Sequence, residues 1–125
     1  MSLAQIWSDL GGIRSLKGHG AAVWSVAFSH KSAIVASGSN DRTIRLCRAD
    51  TGECMETLEG HGNWVRSMAI SRDSALVASG SSDSTVRLWR FDMGEQTQKF
   101  KSHGAAVRSV TFSHDLELVA TGSND

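Results

Sequence analysis

His61, Ser81 and Asp83 are the residues of this chain whose types could do chemistry together: an imidazole base, a hydroxyl nucleophile and an orienting carboxylate make a hydrolytic triad. Their recurrence argues against that use. The trio returns as His19, Ser39 and Asp41 and as His103, Ser123 and Asp125, each residue 42 positions from its counterpart. Catalysis needs one site, and no G-x-S-x-G nucleophile elbow is present. A structural role that repeats with the backbone is expected instead, with a Ser-His-Asp hydrolase as the lesser alternative, and the chain is not expected to be an enzyme. His30 and His114 stand in polar turns beside Lys31 and Asp115 without a ligand cluster, so neither a metal nor a cofactor is expected.

The elements that position these residues follow from a period of two in the apolar residues, the pattern of half-buried strands. Around the central trio it predicts strands at Val65–Ile70, Leu76–Ser81, Thr85–Arg90 and Gln96–Phe100, joined by short polar turns. The preceding copy predicts Val23–Phe28, Ile34–Ser39, Thr43–Arg48 and Cys54–Leu58. The following one supplies only Val107–Phe112 and Leu118–Ser123, and Leu3–Ser8 with Ile13–Leu16 read as the last two strands of a further unit. The predicted class is all-β, in four-stranded antiparallel meanders. The predicted units are a half at 1–17, full repeats at 18–59 and 60–101, and a half at 102–125. Repeats of this length belong to solenoids, propellers and arrays.

Composition narrows the function. The 125 residues are 40% hydrophobic and 21% charged, a globular balance, and thirteen basic residues offset thirteen acidic ones. No basic field for nucleic acid or a membrane surface results, so neither is an expected partner. The N-terminal MSLAQIWSDLGG has no basic start and no long apolar run, which argues against a secretory signal or a membrane span. Cys47 and Cys54 lack C-x-x-C spacing and are expected to be two reduced thiols in a cytosolic protein.

Gly18-His19, Gly60-His61, the Ala-Ser-Gly-Ser-x-Asp runs ending at Asp41 and Asp83, and the strand tryptophan Trp89 resemble the WD-repeat β-propeller family, whose blades are four-stranded meanders. Ser102-His103 and Ala120-Thr-Gly-Ser-Asn-Asp125 continue the pattern, and Trp7 is a second candidate tryptophan. Among members of the family, the regular copies are most similar to fungal WD arrays, of the kind found after nucleotide-binding signalling modules or in mitochondrial-division adaptors. The resemblance implies a structural tetrad of His, Ser or Thr, Asp and Trp, carried over here as His61, Ser81, Asp83 and Trp89. The sets His19, Ser39, Asp41 and His103, Ser123, Asp125 are its incomplete counterparts. Cys47 replaces the tryptophan of the first full repeat, so that blade is expected to be the weaker. The aspartate of the Trp-Asp pair is absent, since Arg90 follows Trp89, and the Trp-Asp-x-Arg pattern of ubiquitin-ligase receptors is absent with it.

A repeated scaffold holds its core and varies its contact surface. The copies differ at Trp24, Arg66 and Arg108, at Trp64, and at Asn40, Ser82 and Asn124 before the turn aspartates. These resemble the family's partner-facing positions, and tryptophan and arginine are enriched in interface hot spots. The expected function is a non-catalytic protein-interaction scaffold whose partners are other proteins. Three sheets' worth of strand do not readily close a ring of about four to eight blades. The chain is therefore expected to be a piece of a larger propeller, with or without independent function, or to assemble head to tail with copies of itself.

Overall fold

In the computed structural model, residues 3–7, 13–17, 19–29, 33–73, 75–90, 95–101, 104–113 and 119–123 are described. They form twelve strands and no helix: β1 (Leu3–Trp7), β2 (Ile13–Lys17), β3 (Val23–Phe28), β4 (Ile34–Ser39), β5 (Ile44–Arg48), β6 (Cys54–Leu58), β7 (Val65–Ile70), β8 (Leu76–Ser81), β9 (Thr85–Arg90), β10 (Glu95–Lys101), β11 (Val107–Phe112) and β12 (Val119–Ser123). Neighbours in sequence are neighbours in space. β3–β4–β5–β6 and β7–β8–β9–β10 are four-stranded meanders, flanked by the two-stranded sheets β1–β2 and β11–β12. The ring is open.

Each first strand carries one extra residue. Val65 pairs with Ser81 and Ser67 with Gly80, so Arg66 is left over as a β-bulge. Trp24 is passed over in the same way between Val23 and Ser25, and Arg108 between Val107 and Ser109. Bulges re-aim side chains and raise local twist. The repeat position held by Trp24, Arg66 and Arg108, one of those at which the copies differ, is thus one that their sheets do not hold in register.

The blades stack through apolar faces. Ala36, Ile44, Leu46 and Leu58 of the first meander are buried with Val65, Met68, Val77 and Trp89 of the second. Ala78, Val86 and Leu88 on the far side of the second meander are buried with Val107 and Val110 of β11. Glycine sets the closeness of this approach: a Cβ on Gly38 would lie 2.6 Å from Val65 Cγ1, and one on Gly80 2.7 Å from Val107 Cγ1. Any side chain there would push the sheets apart.

The cysteines depart from expectation. A register irregularity between Leu46 and Cys47 sets Cys47 opposite Cys54, and their sulfurs are bonded at 2.00 Å. The two reduced thiols expected from cysteine usage are replaced by a disulfide between neighbouring strands. Its Cys47 half is buried with Val35 where the second meander holds Trp89.

Candidate functional site

The turn after β8 carries the first cluster. Asp83 accepts hydrogen bonds at Oδ1 from the Thr85 hydroxyl at 2.5 Å and the Thr85 amide at 2.9 Å. At Oδ2 it accepts from the Gly62 amide at 2.9 Å and from His61 Nδ1–H at 3.0 Å. With Nδ1 donating to a carboxylate, Nε2 of the neutral ring accepts, and the Ser79 hydroxyl donates to it at 2.6 Å. Ser79 Oγ in turn accepts from Trp89 Nε1–H at 2.9 Å. The chain from Asp83 through His61 and Ser79 to Trp89 ties the loop before β7 to the turn after β8 and to the middle of β9. In the first full repeat, His19 bonds Asp41 at 2.9 Å and Ser37 at 2.8 Å, and the indole donor is missing.

The serine of this network is Ser79, and not Ser81 as the repeat pattern suggests; likewise it is Ser37 and not Ser39. Residues two apart on a strand share a face, so the pattern admits either. Register decides between them: Ser79 lies opposite Arg87, two residues from Trp89, whereas Ser81 lies another two residues further along β8. Ser81 instead caps the turn, accepting from the Asp83 amide at 3.0 Å and donating to the Asn63 carbonyl at 3.3 Å. Ser39 does the same with the Asp41 amide and the Ala22 carbonyl. Ser79 and Ser81 are both 0% exposed, which leaves neither hydroxyl open to a substrate. Thr43 and Thr85 also escape a reading of the sequence alone, although their 42-residue spacing marks them. In the last unit Ser123 ends β12, while His103, Asn124 and Asp125 lie outside the described residues, as do His30 and His114.

Electrostatics agree with a structural role. Burial raises the Asp83 carboxyl, but the hydrogen bonds from Thr85, Gly62 and His61 outweigh it and hold the group down at about 2, against an ordinary 3.8. Asp41 is held at about 2 in the same way, burial being outweighed by Thr43, His19 and Gly20. Burial lowers His61, and the Arg87 charge adds to this against the pull of Asp83. The ring is therefore kept neutral, as its acceptor role toward Ser79 requires.

A second cluster lies on the bulges. Trp24 and Trp64 stack across the two meanders with centroids 5.7 Å apart and planes at 22°. The Arg66 guanidinium carbon lies 5.4 Å from the Trp24 centroid and 5.3 Å from that of Trp64. Arg66 Nε donates to Ser82 Oγ at 2.5 Å, and Trp24 Nε1 donates to Asn40 Oδ1. Main-chain bonds from Asn40 to Ala22 and from Ser82 to Trp64, both 2.9 Å, fix the loops that carry them. Five of the seven candidate contact residues are thereby gathered: Trp24, Asn40, Trp64, Arg66 and Ser82. Arg108 takes the equivalent bulge in β11 and is exposed. Trp24 stays 47% and Trp64 38% exposed, so the stack presents an open aromatic surface.

Four-stranded meanders stacked face to face, each pinned by a His-Asp network and varying at its bulges, define a segment of β-propeller. The family described as WD domain, G-beta repeat matches residues 12–47, 52–90 and 94–125, and the chain belongs to that family. The chain is 38% identical over 58 residues to eukaryotic translation initiation factor 3 subunit I of Debaryomyces hansenii, covering 45% of the chain and 17% of that protein. It is 40% identical over 52 residues to the subunit I of Aspergillus niger, covering 40% of the chain and 15% of that protein. It thus spans about a sixth of the length of these curated relatives. In fold it is similar to the crystal structure of RRP9 WD40 repeats, with a TM-score of 0.83 at 22% identity, over 86% of this chain and 34% of that one.

Proposed function

We propose that this chain is a non-catalytic scaffold that binds other proteins through the aromatic surface formed by Trp24, Trp64 and Arg66, flanked by Asn40, Ser82 and Arg108, with Asn124 the corresponding position of the last unit. The observation that carries the reading is the half-exposed Trp24–Trp64 stack. Two large aromatics left in water at the joint between blades are costly unless something covers them, and a guanidinium already poised on both rings suits a partner that brings apolar and hydrogen-bonding groups together. Relatives named as a subunit of a translation initiation factor are components of an assembly, which supports a partner-binding role. The buried serines give a hydrolase no accessible nucleophile.

The test compares proteins captured from a cell extract by the wild-type chain and by a Trp24→Ala/Trp64→Ala variant with an unchanged circular dichroism spectrum. Loss of a defined set of partners from the variant is expected, and an identical set from both would refute the surface. We place the protein in the cytoplasm, by analogy with its translation-factor relatives. Thiols are kept reduced there, against the Cys47–Cys54 disulfide of the structure, and rapid alkylation in cells tests the location: both cysteines trapped open are the expected result for a cytoplasmic chain. A disulfide found intact in cells would speak against that location.

A further inference from the structure

Arg66, at the joint between the two complete meanders, carries a charge that no described residue neutralises. Of the N–H donors of its guanidinium, Nε–H is given to Ser82 Oγ at 2.5 Å, while those on the two terminal nitrogens meet no acceptor among the described residues. The carboxylates that follow Ser82 and Asn40 in sequence are engaged elsewhere. Asp83 accepts from Thr85, Gly62 and His61 and lies 3.9 Å from Arg87 Nη2, and Asp41 accepts from Thr43, Gly20 and His19. The next bulge adds a second cation. β11 lies against β7 as β7 lies against β3, and the Val110 amide donates to Ser67 Oγ at 3.0 Å, so Arg108 succeeds Arg66 as Arg66 succeeds Trp24. Among the described residues neither arginine has an ion-pair partner, although acids and bases balance over the whole chain.

The surroundings of Arg66 select the group that would complete it. The guanidinium lies over both indoles, 5.4 Å from the Trp24 centroid and 5.3 Å from that of Trp64, within the reach of a cation–π contact. A stacked guanidinium is weakly hydrated on its faces and keeps its edge for a planar acceptor, and a carboxylate fits two parallel N–H groups bidentately. The rings also screen that edge from water on one side, which strengthens a charged hydrogen bond made there. We infer that this surface docks an acidic segment of a partner protein: the carboxylate of an Asp or Glu lies across the two terminal nitrogens of Arg66, an apolar neighbour packs on the Trp24 and Trp64 rings, and a second acid lies toward Arg108. The inference rests on the reading of this surface as a protein-binding one and adds the chemistry of the segment it takes.

The test pans unphosphorylated random peptides, displayed on phage, against the purified chain and measures the affinity of the enriched sequences as synthetic peptides. Peptides with an Asp or Glu beside an aliphatic or aromatic residue are expected. Replacing that acid by its amide should weaken binding about tenfold or more, the scale of a charge-assisted bidentate bond. Arg66→Gln, with an unchanged circular dichroism spectrum, should cost the acidic peptide the same factor and its amide form nothing. The amide exchange leaves the protein untouched, so a misfolded variant cannot produce its result. Enriched peptides that lack an acid, that need Trp24 and Trp64 but are indifferent to Arg66→Gln, would overturn the acidic segment and leave the aromatic surface standing. Peptides bound equally by the wild type, Arg66→Gln and Trp24→Ala/Trp64→Ala would overturn both. A panning that enriches nothing would overturn the acidic segment alone, the surface then being decided by capture from extract. A short oligothymidylate offers phosphates and bases to the same arginine and rings; it is expected not to displace the acidic peptide, and displacement would overturn the assignment to a protein carboxylate.

Discussion

Ser79 carries more of the second meander than its size suggests, because its hydroxyl is the one acceptor for the Trp89 indole and the donor to His61. Ser79→Ala leaves two buried nitrogens without partners, at about 2 kcal/mol or more. Ser37→Ala strands only His19, because Cys47 offers no indole, and about half that loss is expected. Thermal denaturation of both variants checks this; equal losses would mean that the indole bond contributes nothing. The carboxylates predict the response to acid. Asp41 and Asp83 sit at about 2 in the folded chain against 3.8 unfolded, so their stabilisation is complete above about pH 4 and is lost as the pH falls toward 2. Solvent screening keeps it to about 1 kcal/mol each. His61, lowered below 6.5, favours folding in its neutral form, so its contribution starts to fall once the pH drops below about 6.5. Urea midpoints should therefore decline in two steps on acidification. A His61→Gln variant that keeps the upper step would refute that assignment.

Elements were far more legible than the contacts between them. β7, β8 and β9 occupy the residues that the alternation of apolar side chains predicts, because a half-buried strand must alternate and a polar turn must interrupt it. The choice between Ser79 and Ser81 was not legible, since both face the same way and only the β8–β9 register separates them. The Trp24–Trp64 stack depends on the stagger between blades, which no pattern within one blade encodes. The disulfide is hidden differently: the apolar alternation puts Cys47 and Cys54 on neighbouring strands, but compartment chemistry argues for thiols. The turns hold a feature that only coordinates reveal. Arg42 and Ser84, 42 residues apart, adopt φ of 74° and 71°, a left-handed conformation that strains residues with a Cβ. Glycine there relieves the strain while adding freedom to the unfolded chain. Arg42→Gly and Ser84→Gly should each stabilise the fold by up to about 1 kcal/mol, read as a raised denaturant midpoint. A lower midpoint for both would show that the side chains do more than tolerate the turn.

At the scale of the whole molecule, stability should follow position in the stack. Among the described residues the closest contacts join neighbouring sheets, β7 lying against β3 and β4 and β11 against β7 and β8. In such one-dimensional arrays the energy is close to a sum of intrinsic and nearest-neighbour terms. The second meander is the one covered on both faces, through Val65 and Met68 on one side and Ala78, Val86 and Leu88 on the other, and it alone has a complete His-Ser-Asp-Trp network among the described residues. The first meander has a disulfide where the indole would sit. Native-state hydrogen exchange should therefore be slowest in β8 and faster in β4. Gly80→Ala should flatten that gradient, because its methyl meets Val107 and Val110 and parts the second meander from β11. A gradient unchanged by this substitution, or one rate for all strands, would mean that the sheets unfold as a single unit and that coupling along the stack outweighs the independence of its blades.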